Sequence, residues 1–321
     1  MLNKDIIKQR AIATIEEEAK SIKGLKNRVT DDFATLVKVL LKDQGRLIVT
    51  GIGKSAIVAS KIVATLNSTG TLAIFMHAAD AIHGDLGMIR ENDMVMCISK
   101  SGNTPEIKVL VPLIKARGNN LVGMVGNLNS FLAKQADYIL DSTVEKEACP
   151  NNLAPTSSTT AQMVMGDALA VALIEARGFT QQDFAMLHPG GTLGKKMYLR
   201  VSDLYTFNEK PLVDASDDIR KVIMEISSKR LGATAVMEDG VVKGIITDGD
   251  LRRMLQQYDN PAELKARDIM TISPKRMEEN TLAVDALNVM RSNNITQILI
   301  MRDNQYLGMV HLHDIIESGI L

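Results

Sequence analysis

The sequence predicts an α/β protein in which a parallel sheet is followed by two copies of a smaller unit, and three observations predict it. Short apolar runs recur at 46–50 (RLIVT), 71–75 (TLAIF), 93–98 (DMVMCI), 120–125 (NLVGMV) and 137–140 (DYIL), with helix-patterned segments between most of them. That alternation belongs to a parallel sheet. Loops rich in glycine or hydroxyls follow the first and third runs, at the strand ends where such sheets bind ligands. Beyond about Val201 the texture changes, and Val201-Ser202-Asp203-Leu204 returns as Ala266-Arg267-Asp268-Ile269. The segment Gly244-Ile245-Ile246-Thr247-Asp248-Gly249-Asp250-Leu251 likewise returns as Gly308-Met309-Val310-His311-Leu312-His313-Asp314-Ile315, which marks a repeat.

In chain order, the first 40 or so residues read as helix, with Ile6, Ile7, Ala11, Ile12 and Ile15 on an apolar stripe and Glu16, Glu17, Glu18 and Lys20 on a polar one. The first strand runs into Gly51-Ile52-Gly53-Lys54-Ser55-Ala56. A phosphate-binding P-loop would need glycine five residues before Gly53, where Ile48 stands, and a dinucleotide fingerprint would need an acidic residue about 20 positions on, which is missing. What remains is a tight glycine turn that lets a ligand approach the backbone with Lys54 as a nearby cation; the plainer reading is a turn with a solvated lysine. The third strand leads into Ser99-Lys100-Ser101-Gly102-Asn103-Thr104-Pro105-Glu106, where Pro105 suits the first position of a helix and Thr104 its N-cap. Glu106 then either complements the helix dipole or serves chemistry.

After the fifth strand, Glu147-Ala148-Cys149-Pro150 and the run Thr156, Ser157, Ser158, Thr159 and Thr160 stand just ahead of an apolar helix. Hydroxyl donors and the unpaired N–H groups of a helix start together suit a phosphate, and two such helix starts point to a phosphorylated small molecule. Glu147 precedes Ala148-Cys149-Pro150 in a stretch with no further charge through Thr160, where desolvation would raise its pKa toward the range of a general acid or base. The large domain closes on Leu187-His188-Pro189-Gly190-Gly191-Thr192-Leu193-Gly194. His77, His83 and His188 have no spacing that matches a helical pair of metal ligands.

Composition narrows the function classes. With 321 residues, 45% hydrophobic and 23% charged, the chain is long enough for a large core with a smaller domain beside it. The 37 basic and 38 acidic residues leave a net charge of -1, and no basic stripe interleaved with aromatics suggests a nucleic-acid partner. Cys97 and Cys149 support neither a disulfide framework nor a zinc cluster, and a reducing cytoplasm fits them. The start MLNKDIIKQR is too charged for a signal peptide, and no run of about 18 apolar residues is present to span a bilayer. The expectation is a cytoplasmic protein with no membrane partner.

Taken together, Gly51 to Ser55, Ser99 to Glu106, Glu147 to Ser158 (EACPNNLAPTSS) and His188 to Gly194 (HPGGTLG) resemble the sugar isomerase (SIS) domain of D-arabinose 5-phosphate isomerases. The likeness extends over essentially the whole chain, because the repeat beyond 205 is similar to the tandem CBS pair that these isomerases carry. It implies a SIS-type three-layer αβα domain with a five-stranded parallel sheet, followed by a tandem CBS (α+β) pair, with domains at 1–200, 201–265 and 266–321. It also implies an aldose-ketose isomerase that interconverts D-ribulose 5-phosphate and D-arabinose 5-phosphate through an enediol(ate), the entry step to the Kdo sugar of lipopolysaccharide, with no cofactor.

By the same resemblance the catalytic residues fall on Lys54, Glu106, Glu147 and His188. Gly53, Ser55, His83, Ser99, Ser101, Thr104, Thr156, Ser157 and Ser158 would bind the phosphorylated pentose. Glu147 is the first choice for the base and His188 its rival. The resemblance implies a homotetramer with sites shared between subunits and no required metal; zinc held by His83 and His188 would inhibit. In the CBS pair Thr247 and Asp250 fill the places that meet a nucleotide ribose. The second copy keeps Asp314 but has His311 in the threonine slot. The pair either has a structural role, packing tetramer layers, or regulates through a nucleotide or a nucleotide sugar such as CMP-Kdo, bound by this pair or by the SIS cleft. Two alternatives stand beside this reading: isomerisation of another phosphosugar, and a non-catalytic phosphosugar sensor, which would ordinarily carry a DNA-binding helix-turn-helix that the first 40 residues do not suggest.

Overall fold

The first apolar runs become five strands, each starting one or two residues later than the run itself: β1 (Leu47–Gly51), β2 (Ala73–His77), β3 (Met94–Ser99), β4 (Leu121–Val125) and β5 (Tyr138–Asp141). The polar residues that head the runs act as braces instead. Asp93 accepts from the backbone N–H and guanidinium of Arg46 and from the N–H of Arg90, and Asp137 accepts from the N–H of Leu121. The computed structural model describes residues 3–42 and 45–320. They fall into two compact units, Met1–Leu187 and His188–Leu321.

In the first unit all strand pairs are parallel, in the order β2-β1-β3-β4-β5. Helices α1 (Lys4–Leu25), α2 (Asp31–Lys42), α3 (Lys54–Ser68), α4 (Ala78–Ala81), α5 (Pro105–Ala116), α6 (Phe131–Gln135), α7 (Ser157–Arg177) and α8 (Gln181–Leu187) complete it. Leu36, Ile62, Leu66, Met165 and Leu169 pack with Val49 and Met96 in one core, while Ile107, Leu110, Ile114 and Leu132 pack with Ile48 and Val95 in another. Two separate cores on the two faces of one sheet make three layers. Buried on both sides, β1, β3 and β4 have no exposed position, which is why their runs are continuous rather than alternating. Cys97 lies inside this layer, where burial pushes its thiol up to about 12.

The strand order reverses between β1 and β3, and in such a sheet the crevice at that switch point is where ligands bind. The loops after β1 and β3 are the two singled out in the sequence. The apolar stripe of α1 is only partly used within the unit: Ile6, Ile7, Ile12 and Ile15 are 52%, 56%, 54% and 68% exposed.

The second unit repeats one pattern. After α9 (Thr192–Tyr198), the first copy contains α10 (Ser202–Tyr205), β6 (Leu212–Asp214), α11 (Ile219–Lys229), β7 (Ala233–Glu238), β8 (Val241–Thr247) and α12 (Asp248–Gln257). The second contains α13 (Ala266–Ile269), β9 (Thr271–Ile272), β10 (Arg276–Glu278), α14 (Ala283–Asn293), β11 (Gln297–Arg302), β12 (Gln305–His311) and α15 (Leu312–Glu317). Each copy pairs its first long strand parallel to one neighbour and antiparallel to the other, with an irregularity at the equivalent steps Val236/Met237 and Ile300/Met301. Residues of both copies, among them Ala235, Ile245, Leu299 and Met309, share a core.

Candidate active site

The loop after β1 is shaped by its glycines. Gly53 has φ of +57°, a left-handed conformation that a side chain resists, and it hands the chain directly to Lys54 at the start of α3. Lys54 is exposed. Ser55 is half-buried, and its hydroxyl lies 3.3 Å from Oε1 of Gln162, which ties this turn to α7. Gln162 is 1% exposed and was not singled out in the sequence, because nothing in a mid-helix glutamine signals a partner 107 residues away.

The loop after β3 is held by its own hydrogen bonds. The Ser99 hydroxyl accepts from the N–H of Gly102, and that of Ser101 accepts from Asn103. Leu132 N–H donates to the Gly102 carbonyl and Phe131 N–H to the Asn103 side chain, so α6 buttresses the loop. Thr104 occupies the N-cap of α5 with Pro105 behind it, yet its side chain makes no capping bond. Its hydroxyl oxygen is buried without a partner, as is that of Ser157. Glu106, half-buried, stands in the first turn of α5.

Glu147 is the most heavily engaged group of the site. It is 2% exposed, and its carboxylate accepts five hydrogen bonds. Lys100 Nζ and the Ser158 hydroxyl donate to Oε1, each at 2.5 Å. The N–H groups of Thr156 and Ser158 donate to Oε2 at 2.8 and 3.1 Å, joined by the Thr156 hydroxyl at 3.2 Å. Glu147 thus occupies the anion-binding start of α7 that the hydroxyl run builds.

The expectation that burial raises Glu147 is therefore reversed. Burial does push the carboxyl up, but the Lys100 ammonium, the Ser158 hydroxyl and the two N–H groups together outweigh it and hold the group at about 2. Lys100 is the second residue that the sequence did not single out, since a lysine among serines reads as solvated until its partner 47 residues on is placed.

Of the hydroxyls expected to hold phosphate, Thr156 and Ser158 are committed to Glu147, whereas Thr104 and Ser157 have hydroxyls with no partner. His83 is exposed just beyond α4. His188 belongs to the second unit, where its carbonyl accepts from the N–H of Gly191 in the turn that opens α9. Among the described residues no group of three or more His, Cys, Asp and Glu converges as a metal site.

In the second unit Thr247 and Asp250 form a capping box at the start of α12, and His311 and Asp314 form its counterpart at α15. The imidazole Nδ1 of His311 accepts from the N–H of His313 and so takes over the cap of the missing threonine. Burial would raise Asp250, but the Thr247 hydroxyl and N–H and the Arg253 guanidinium lower it. A cavity of about 680 Å³ is lined by Thr247, Asp250, Arg252, Arg253, Lys275 and His311 among others, and Asp314 is not on its wall.

The SIS domain family matches residues 40–172, and the CBS domain family matches 201–257 and 266–320. The arabinose 5-phosphate isomerase KdsD of Yersinia pestis is 45% identical over 309 residues, which is 96% of this chain and 94% of the relative. That of Pseudomonas aeruginosa is 44% identical over 311 residues, 96% of this chain and 95% of the relative. Among solved structures, the E. coli CFT073 protein c3406 in complex with arabinose 5-phosphate superposes with a TM-score of 0.56 at 40% identity, covering 59% of this chain and 100% of that one. A Listeria monocytogenes protein described by sequence as a sugar-phosphate isomerase gives a TM-score of 0.57 at 33% identity over the same shares.

Proposed function

The chain belongs to the arabinose 5-phosphate isomerase family, and from that premise we propose how its residues carry the reaction. The enzyme interconverts D-arabinose 5-phosphate and D-ribulose 5-phosphate. The observation that carries this conclusion is identity of 41–45% to arabinose 5-phosphate isomerases over almost the full length, CBS pair included. Going from aldose to ketose, a base removes the proton from C2 and returns one to C1, while a second proton passes from the C2 hydroxyl to the oxygen at C1. The site needs that base, a positive charge near the enediolate oxygens and an anchor for the phosphate.

We assign the anchor to Ser99, Ser101 and Thr104 with Ser157, leaving Ser158 to Glu147, to which it gives both its N–H and its hydroxyl; the partnerless hydroxyls of Thr104 and Ser157 support it, since a buried hydroxyl without a partner is costly unless a ligand supplies one. By the resemblance we assign Thr156 and His83 to the same substrate site. Gly53 and Ser55 bring the backbone to the sugar, and Lys54 at the start of α3 stabilises charge on its oxygens. Glu147 is the base, Glu106 orients the substrate, and His188 moves the proton between the two oxygens. The half-exposed isoleucines of α1 support association into the homotetramer that the resemblance implies, with His188 serving a neighbour's site. The product would enter Kdo synthesis.

For the CBS pair we propose a nucleotide or nucleotide sugar such as CMP-Kdo in the cavity beside Thr247 and Asp250, supported by the cations Arg252, Arg253 and Lys275 on its wall. Of the second copy's matching pair, His311 is on that wall and Asp314 is not.

Chelator-treated protein incubated with D-arabinose 5-phosphate in D2O, followed by NMR, tests the reaction. Turnover with deuterium entering at C1 or C2, and none with glucose 6-phosphate, ribose 5-phosphate or glucosamine 6-phosphate, is the expected result. Turnover of one of the comparison sugars instead would transfer the assignment to another phosphosugar, and silence on all four would leave a sensor.

A further inference from the structure

Lys100 sits between two anion sites. Its own loop carries Ser99, Ser101 and the start of α5, assigned above to the substrate phosphate, while its ammonium lies 2.5 Å from Oε1 of Glu147. The stem is fixed at its base, and its tip is held only by the carboxylate. The Lys100 carbonyl accepts from Gly126 N–H at 3.1 Å, and a Cβ on Gly126 would stand 3.2 Å from Lys100 Cγ, so the glycine is what leaves room for the first carbons of the stem. Beyond them the side chain is 45% exposed, whereas that of Glu147 is at 0%. An ammonium on a four-carbon stem is a mobile point charge, and a phosphate group carrying close to two negative charges attracts it more strongly than one carboxylate at the same distance.

We propose that Lys100 is a positioning residue that clamps Glu147 against the start of α7 before substrate binds and is drawn off by the substrate phosphate, so that binding frees the base. The inference rests on the reading of Glu147 as the proton-transferring group. Held at about 2 against the upward push of burial, Glu147 is a weak base, and basicity is what a general base trades on. The other ionisable groups of its own loop are engaged elsewhere. Glu145 and Lys146 of its own loop pair with Lys20 and Glu17 of α1, and the Cys149 thiol is lowered by the N–H groups of Ala154 and Leu153. Thr156 and Ser158 of α7 are neutral, which leaves Lys100, among the described residues, as the cation bonded to the carboxylate. Withdrawing it restores basicity at the moment the sugar is in place.

The test compares native protein with Lys100→Met and Lys100→Arg, using D-arabinose 5-phosphate for turnover and phosphate-free D-arabinose for deuterium exchange at C2. With the phosphorylated substrate, Lys100→Met is expected to raise KM by about tenfold, the scale of one lost charged contact, with a smaller loss in kcat. With the phosphate-free sugar nothing draws the ammonium away, so Lys100→Met should exchange on the order of tenfold faster than native protein. Lys100→Arg should lower KM again and slow the exchange again. Far-UV spectra like that of native protein and a cooperative melt, lowered in Lys100→Met by loss of the pair with Glu147, would establish that the variants fold. A rise in KM without faster exchange means a phosphate contact with no hold on Glu147, and it overturns the proposal, as does a loss confined to kcat. Native turnover of the phosphorylated substrate by Glu147→Gln would instead show that another group is the base, a failure of that reading and not of the clamp.

Discussion

Glu147 shows how one side chain can link the stability of this fold to its chemistry. A carboxylate held at about 2 in the folded chain and near its ordinary 4.5 when unfolded stabilises the fold fully above 4.5 and loses that contribution as pH falls toward 2. The difference corresponds to on the order of 3 kcal/mol at neutral pH. Urea unfolding of native protein and Glu147→Gln at pH 7 and pH 3 should therefore show a gap that narrows at the lower pH, whereas a gap independent of pH would mean that the five donors do not hold the ionised form. The place of Glu147 was legible in the sequence, because a carboxylate that opens the uncharged stretch 148–160 and its hydroxyl run needs a reason. Its electrostatics were not legible, since they depend on Lys100, which belongs to another loop and meets Glu147 only when β3 and α7 pack on one sheet.

At the scale of elements, the strands were readable because burial on both faces leaves β1, β3 and β4 as unbroken apolar runs. Their starts slipped by a residue or two because Asp93 and Asp137, which head two of the runs, hydrogen-bond at the strand entrances and do not pair as strand. The first helix is the reverse case. Its apolar stripe is plain in the sequence, but the amphipathic pattern cannot say what covers it, and within this unit much of the stripe stays open. Isoleucines exposed by half or more at four positions of one helix are costly in water, at about 25 cal/mol per Å² of apolar surface, and suit a subunit interface. For the homotetramer proposed above, replacing Ile12 and Ile15 together by arginine should lower the mass seen by sedimentation to that of a smaller species, with the far-UV spectrum kept. An unchanged mass would place the interface elsewhere.

Across the whole molecule, the two units keep separate cores. The cores that cover the sheet draw their buried residues from Leu25 to Leu173, and those of the second unit from Val201 to Ile320. A unit of 187 residues with cores on both faces of a five-stranded sheet is of ordinary size for an independent domain. The solved E. coli protein that matches 59% of this chain over its own full length is a chain of about that extent. A fragment of residues 1–200, which keeps His188 and its turn, is therefore expected to unfold in one cooperative transition and to isomerise D-arabinose 5-phosphate within about tenfold of the full chain, since the groups assigned to chemistry all lie within it. Any response of turnover to adenine nucleotides or CMP-Kdo should vanish in the fragment, because the cavity beside Asp250 has been removed with the repeat. A response that survives would move the regulator to the cleft at the β1/β3 switch point, where it would compete with substrate. An insoluble fragment would mean that the CBS pair completes the core or the tetramer, and that the repeat is kept for assembly instead of sensing.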